Sequence, residues 1–140
     1  MTHALIEFVP IPDVKPEWET AHEIRFLSIN GVSRVIENLQ KFKKAWPDDY
    51  RDLLVSIKIV AENPQVRGSK RVKRCKGCES ILEMKGKALR LFFFYAKNGT
   101  DIVVCTGTYR KGKGLDKKQQ QNAIAAAEKL RTLCRRETGV

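Results

Sequence analysis

The chain has little of what most enzymes work with. Two histidines, His3 and His22, occur in 140 residues, neither where a catalytic triad would need one, and no G-x-S-x-G is present. A phosphate-binding G-x-x-x-x-G-K-[ST] is absent. Carboxylates are scarce between residues 65 and 118: Glu79, Glu83, Asp101 and Asp116, none in a D-x-D pair. Metal-assisted chemistry is therefore poorly supported, and neither metal nor cofactor is expected. Of the four cysteines, Cys75 and Cys78 form one C-x-x-C, but zinc needs a second ligand pair at suitable spacing, so all four read as reduced thiols. No apolar run approaches the ~20 residues of a membrane span. The N-terminus lacks the basic start and apolar block of a signal peptide. The chain is expected in the cytoplasm, with no membrane partner.

What the sequence has is positive charge in one place. The formal net charge is +11. Residues 1–64 carry eight basic and ten acidic side chains, whereas residues 65–118 carry fifteen basic and four acidic. A merely solubilising surface would scatter its charges. Concentration in one central segment is the electrostatic footprint of a face that binds a polyanion, nucleic acid first of all. At 42% hydrophobic and 31% charged, the rest of the composition fits one globular domain.

The pattern of elements predicts an α+β fold. Residues 1–20 hold "PIPDVKPE", whose prolines suggest an extended arm, and residues 21–140 form the domain. "EIRFLSI" (Glu23–Ile29) reads as a strand, ended by Asn30–Gly31. Val32, Val35, Ile36, Leu39, Phe42 and Trp46 recur at helical spacing and predict a helix over Val32–Trp46. Pro47 interrupts, and a second helix over Asp48–Asn63 buries Tyr50, Leu53, Leu54, Ile57 and Val60. Three strands follow, Val72–Lys85 with an irregularity near Gly77, Leu89–Ala96 and Asp101–Tyr109. Asn98–Gly99 supplies a hairpin turn between the last two. "LRLFFFYA" is apolar almost throughout, so it is expected at the centre, covered on both faces. A last helix begins at Asp116, with Gln119 as capping partner and Ile124, Ala127, Leu130 and Cys134 facing inward. The expected architecture is a helical hairpin on a curved antiparallel sheet of three or four strands, plus a C-terminal helix.

The candidate chemistry is a set of cations and tyrosines on that sheet. Arg90 is the polar exception in its strand, either a phosphate clamp or a partner for Glu83 on the neighbouring strand. Lys85, Tyr109, Arg110 and Lys111 stand at strand ends, and alternation aims only one of Arg110 and Lys111 at a given face. Arg67, Lys70, Arg71, Lys73, Arg74, Lys76 and Lys113 are expected to hold RNA. Arginine meets phosphate bidentately and lysine supplies a mobile point charge. Such a set can simply bind nucleic acid, or it can stabilise the charge that builds on phosphate when a ribose 2′-OH attacks, without a metal. Proton transfer would fall to Tyr109, Tyr95, Glu83 or Lys85.

"ILEMKGKALRLFFFYAKNGTDIVVCTGTYRKGKG" resembles the RelE/HigB superfamily of toxin–antitoxin endoribonucleases, in particular its phage-derived HigB-like branch. Leu82-Glu83-Met84-Lys85 stand for that family's Leu-x-Glu-Leu-Arg strand, Leu89–Tyr95 for its aromatic Tyr-Arg strand, and Val104–Lys111 for its "Leu-Leu-His-Gly-Phe-x-Lys-Lys" strand. The likeness spans Glu23 to Arg136. The chain departs in having Lys85 for arginine, Thr106-Gly107-Thr108 for "His-Gly-Phe", and Leu115-Asp116 where "Thr-Pro" usually opens the last helix. The resemblance implies a RelE-like fold and a toxin that cuts mRNA, commonly on the translating ribosome. It also implies a cognate antitoxin, expected to be of the helix-turn-helix type. The alternative is a non-catalytic RNA- or DNA-binding regulator on the same scaffold.

Overall fold

The computed structural model describes residues 4–65, 69–75, 77–97, 101–112 and 117–140. Among these residues six strands form one mixed sheet: β1 (Ile6–Val9), β2 (Glu23–Ile29), β3 (Val72–Cys75), β4 (Cys78–Gly86), β5 (Leu89–Tyr95) and β6 (Ile102–Arg110), in the spatial order β1-β2-β6-β5-β4-β3. Two α-helices, α1 (Arg34–Ala45) and α2 (Pro47–Glu62), pack on one face, and α3 (Lys117–Thr138) packs on the other. A single 3-10 turn, Pro16–Trp18, lies between β1 and β2.

The α+β class holds, but the sheet is neither wholly antiparallel nor limited to three or four strands. The meander β3-β4-β5-β6 is antiparallel as expected. β2, however, joins β6 in parallel, with Glu23 opposite Ile102 and Phe26 opposite Cys105. β1, in the proline-rich N-terminal stretch, adds an antiparallel edge strand to β2. The stretch read as one strand from Val72 to Lys85 is a hairpin. Gly77 takes a left-handed φ of +78°, and the chain reverses so that Cys75 pairs with Cys78. Asn98–Gly99 and the start of the last helix at Asp116 lie outside the described residues.

Local chemistry explains the helix ends. The Ser33 hydroxyl accepts from the Ile36 amide at 3.3 Å and caps α1. Pro47, rather than interrupting, is the first residue of α2, where its missing N–H costs nothing; Asp48 and Asp49 follow at the positive end. Trp46 alone separates the two helices.

The packing is organised around β5, six of whose seven residues are buried. Leu89, Leu91 and Phe93, with Phe26 and Met84, face α1 and α2 and pack in one cluster with Leu53 and Ile57 of α2. Phe92 and Phe94 face α3, where Ile124, Ala127 and Cys134 meet Ile81 and Val104. Each fully buried side chain of this size contributes roughly 1.5–3 kcal/mol. On the first face β4 touches α2 so closely that a Cβ at Gly86 would come within 2.5 Å of the Leu53 backbone. Gly86→Ala is therefore expected to destabilise the fold by at least about 1–3 kcal/mol through overpacking, read as a fall in thermal midpoint by several degrees.

Candidate active site

Strand register sets the site. Lys85 on β4, Arg90 on β5 and Tyr109 on β6 are direct cross-strand neighbours. Glu83, two residues before Lys85 and so on the same face, stands opposite Lys73 of β3. These five side chains lie on the α3 face of the sheet, and Tyr109 packs against the cluster that holds Ile124 and Ala127 of α3.

Glu83 is the centre of the group. It is 1% exposed, and neither of its carboxyl oxygens has a hydrogen bond. Two cations approach Oε1: the Lys73 ammonium at 3.4 Å and Arg90 Nε at 3.9 Å. A buried carboxylate requires such company. Arg90 is itself buried, and its Nη1 donates to the backbone oxygens of Lys87 at 2.6 Å and Leu89 at 2.9 Å. It therefore braces the β4–β5 turn, where Lys87 has a φ of +52°. Of the two readings of Arg90, the partner for Glu83 describes this position.

Lys85 is half-buried among like charges. Burial, then Lys73 and Arg90, with a smaller effect of Lys111, pull its pKa below the usual lysine value; Glu83 acts the other way. A lowered amine pKa beside a cavity makes Lys85 a candidate functional position. Of the five, Lys73 and Glu83 open into a cavity of about 400 Å³. Lys73, Cys75, Glu83 and Lys111 form its floor, and Lys117 and Gln120 from the first turns of α3 form part of its roof. Burial pushes the Cys75 thiol up to about 12, so at neutral pH it is an uncharged lining group. Among the described residues no group of three His, Cys, Asp or Glu could hold a metal ion.

The other sequence-derived candidates divide. Lys111 joins the cavity. Arg110 points to the opposite face, where its guanidinium stacks 3.8 Å above the Trp46 ring and lies 4.0 Å from Asp49. Arg71 also turns away: it pairs with Asp52 at 3.0 Å and donates to Ser56 at 3.3 Å, tying β3 to α2. Tyr95 belongs to the α1–α2 side, edge-on to Phe93. Lys70 and Lys73 are exposed; Arg74, also exposed, stands opposite Leu82 on the α1–α2 face. Arg67, Lys76 and Lys113 lie outside the described residues. Sequence reasoning left out Lys73 as a direct neighbour of Glu83, and Lys117 and Gln120 as roof. The available signal was the alternation Ile81-Glu83-Lys85, which puts polar groups on a face whose other members are core.

No family model matches this chain, and no curated protein matches it, so the site is read from its own geometry. Arg110→Ala is expected to cost about 0.5–1 kcal/mol of stability through the lost Trp46 stack. It should leave any activity of the cavity unchanged, which a thermal melt beside an RNA-cleavage assay checks.

Proposed function

We propose that the chain is a metal-independent endoribonuclease, the toxin of a toxin–antitoxin pair, acting on mRNA at the ribosome. The observation that carries the enzymatic reading is the Lys85–Arg90–Tyr109 row beside a buried, hydrogen-bond-free Glu83. The toxin context, and an antitoxin of helix-turn-helix type, rest on the motif resemblance.

In this reading the exposed cations Lys70, Lys73 and Lys111 draw an RNA strand to the open end of the sheet. Arg90 and Lys111 face the scissile phosphate. Glu83 accepts the proton of the ribose 2′-OH as that oxygen bonds to phosphorus. The bond from phosphorus to the 5′ oxygen breaks, leaving a 2′,3′-cyclic phosphate and a 5′-hydroxyl. Lys85 hands its proton to the departing oxygen; a lysine with lowered pKa suits that role better than an ordinary one. The negative charge of the transition state forms beside fixed cations in a partly dry cavity, where such charges act most strongly.

The test is cleavage of a defined RNA by purified protein with excess EDTA, with end-group analysis of the products. Arg90→Ala and Glu83→Gln should each lower the rate by about 10²–10³, beside melts that show folded protein. Arg90→Lys, which keeps charge without the fork, should restore only part. Activity should fall as pH rises, because Lys85 loses its proton below the ordinary lysine range; Lys85→Arg should remove that alkaline limb along with most of the rate. RNA affinity should fall linearly in log–log form with salt, since phosphate neutralisation releases counterions. Salt-dependent binding with no cleavage under any of these conditions would overturn the enzyme reading in favour of a binding regulator.

A further inference from the structure

A second site is set by topology rather than by charge. β2 and β6 are adjacent and parallel, but β2 leads to α1 on one face and β6 to α3 on the other. Two parallel strands whose connections leave to opposite sides open a crevice beyond their carboxyl ends, the place where open sheets of this kind bind ligands. Here the pairing ends at Phe26 and Cys105. Beyond it lies a cavity of about 420 Å³ between the sheet, α1 and α3.

We infer that this cleft binds a small amphipathic anion, an apolar body carrying one acid group. Leu27, Ile29, Val35 and Leu130 give apolar walls from three elements. One polar atom is fixed inside: Thr106 is 4% exposed and lines the cleft, and its hydroxyl has no hydrogen-bond partner. Burying a hydroxyl unpaired is unfavourable, and a ligand acceptor restores the bond. The remaining polar wall is Asn30, whose Oδ1 already accepts from the Leu5 amide, and one cation. Arg34, the first residue of α1, lines the cleft and has no ion pair among the described residues. The amino end of α1 adds its partial positive charge. Glu37, the acid of that first turn, is not among the lining residues. The volume lies at the small end of the range for ligand sites, roughly 300–1,000 Å³.

The experiment uses the full-length protein and anilinonaphthalene sulfonate, an apolar fluorescent anion. Saturable 1:1 binding is expected, displaced by octanoate but not by octanol or acetate, because the cleft requires both an apolar body and an acid. Thr106→Val removes the hydroxyl at nearly constant shape, and Arg34→Gln removes an exposed charge without touching the core. Each should weaken octanoate about tenfold, the order of a hydrogen bond to a charged group. Absence of saturable binding, equal displacement by octanol, or unchanged octanoate affinity in Arg34→Gln would overturn the assignment. Arg34→Gln keeps the test decisive if Thr106→Val disturbs folding. RNA cleavage by Arg34→Gln should equal that of the parent protein, which separates this cleft from the catalytic proposal.

Discussion

Every feature of the candidate site depends on the burial of β5 from both sides. A strand covered by α1 and α2 on one face and α3 on the other cannot carry a charge unless that charge is paired. Arg90 satisfies the requirement with the Lys87 and Leu89 carbonyls and with Glu83. Glu83, buried in turn, draws in Lys73 from the next strand. The cluster is thus a chain of obligations that begins with one arginine in an apolar strand. Its exposed members are Lys73 and Lys111.

A single extra residue decides which side chains of β6 face the cavity. β5 and β6 pair as Phe93 with Cys105 but as Phe92 with Gly107, so Thr106 is a bulge. Without it Thr108 would stand opposite Arg90. With it Tyr109 does, and Lys111 falls on the cavity side while Arg110 falls on the Trp46 side. A one-residue slip exchanges the two faces of a strand. The bulge also marks where β6 parts from β2, so one local irregularity shapes both cavities.

The parts legible in the sequence were those written in local periodicity. The near-continuous apolar run of β5, the 3.6-residue stripe of α2 and the exception at Arg90 all correspond to features of the structure. The parity of Arg110 and Lys111 was open to alternation alone, because nothing in "CTGTYRK" announces a bulge. The β3–β4 reversal was hidden by a turn with one glycine and no proline. β1 was hidden among prolines, which read as an arm although Ile6–Val9 precedes them. The parallel pairing of β2 was out of reach because its partner lies at the other end of the chain. Glu83 was legible as a partner for Arg90 and a proton-transfer candidate, but its burial was out of reach, since the helix that covers it comes from a distant segment.

That long-range pairing has a consequence for how the molecule is assembled. Glu23 must wait for Ile102, and Phe26 for Cys105, before β2 has a neighbour on its inner edge. The meander from β3 to β6 closes by short reversals and can form first, whereas the amino-terminal strands dock last, at the entropic cost of closing a very long loop. During synthesis β1 and β2 emerge early and stay without their place in the sheet until β6 has been made. An order-dependent fold of this kind exposes its unpaired β6 edge in every partly folded molecule, where it is open to pairing with another chain.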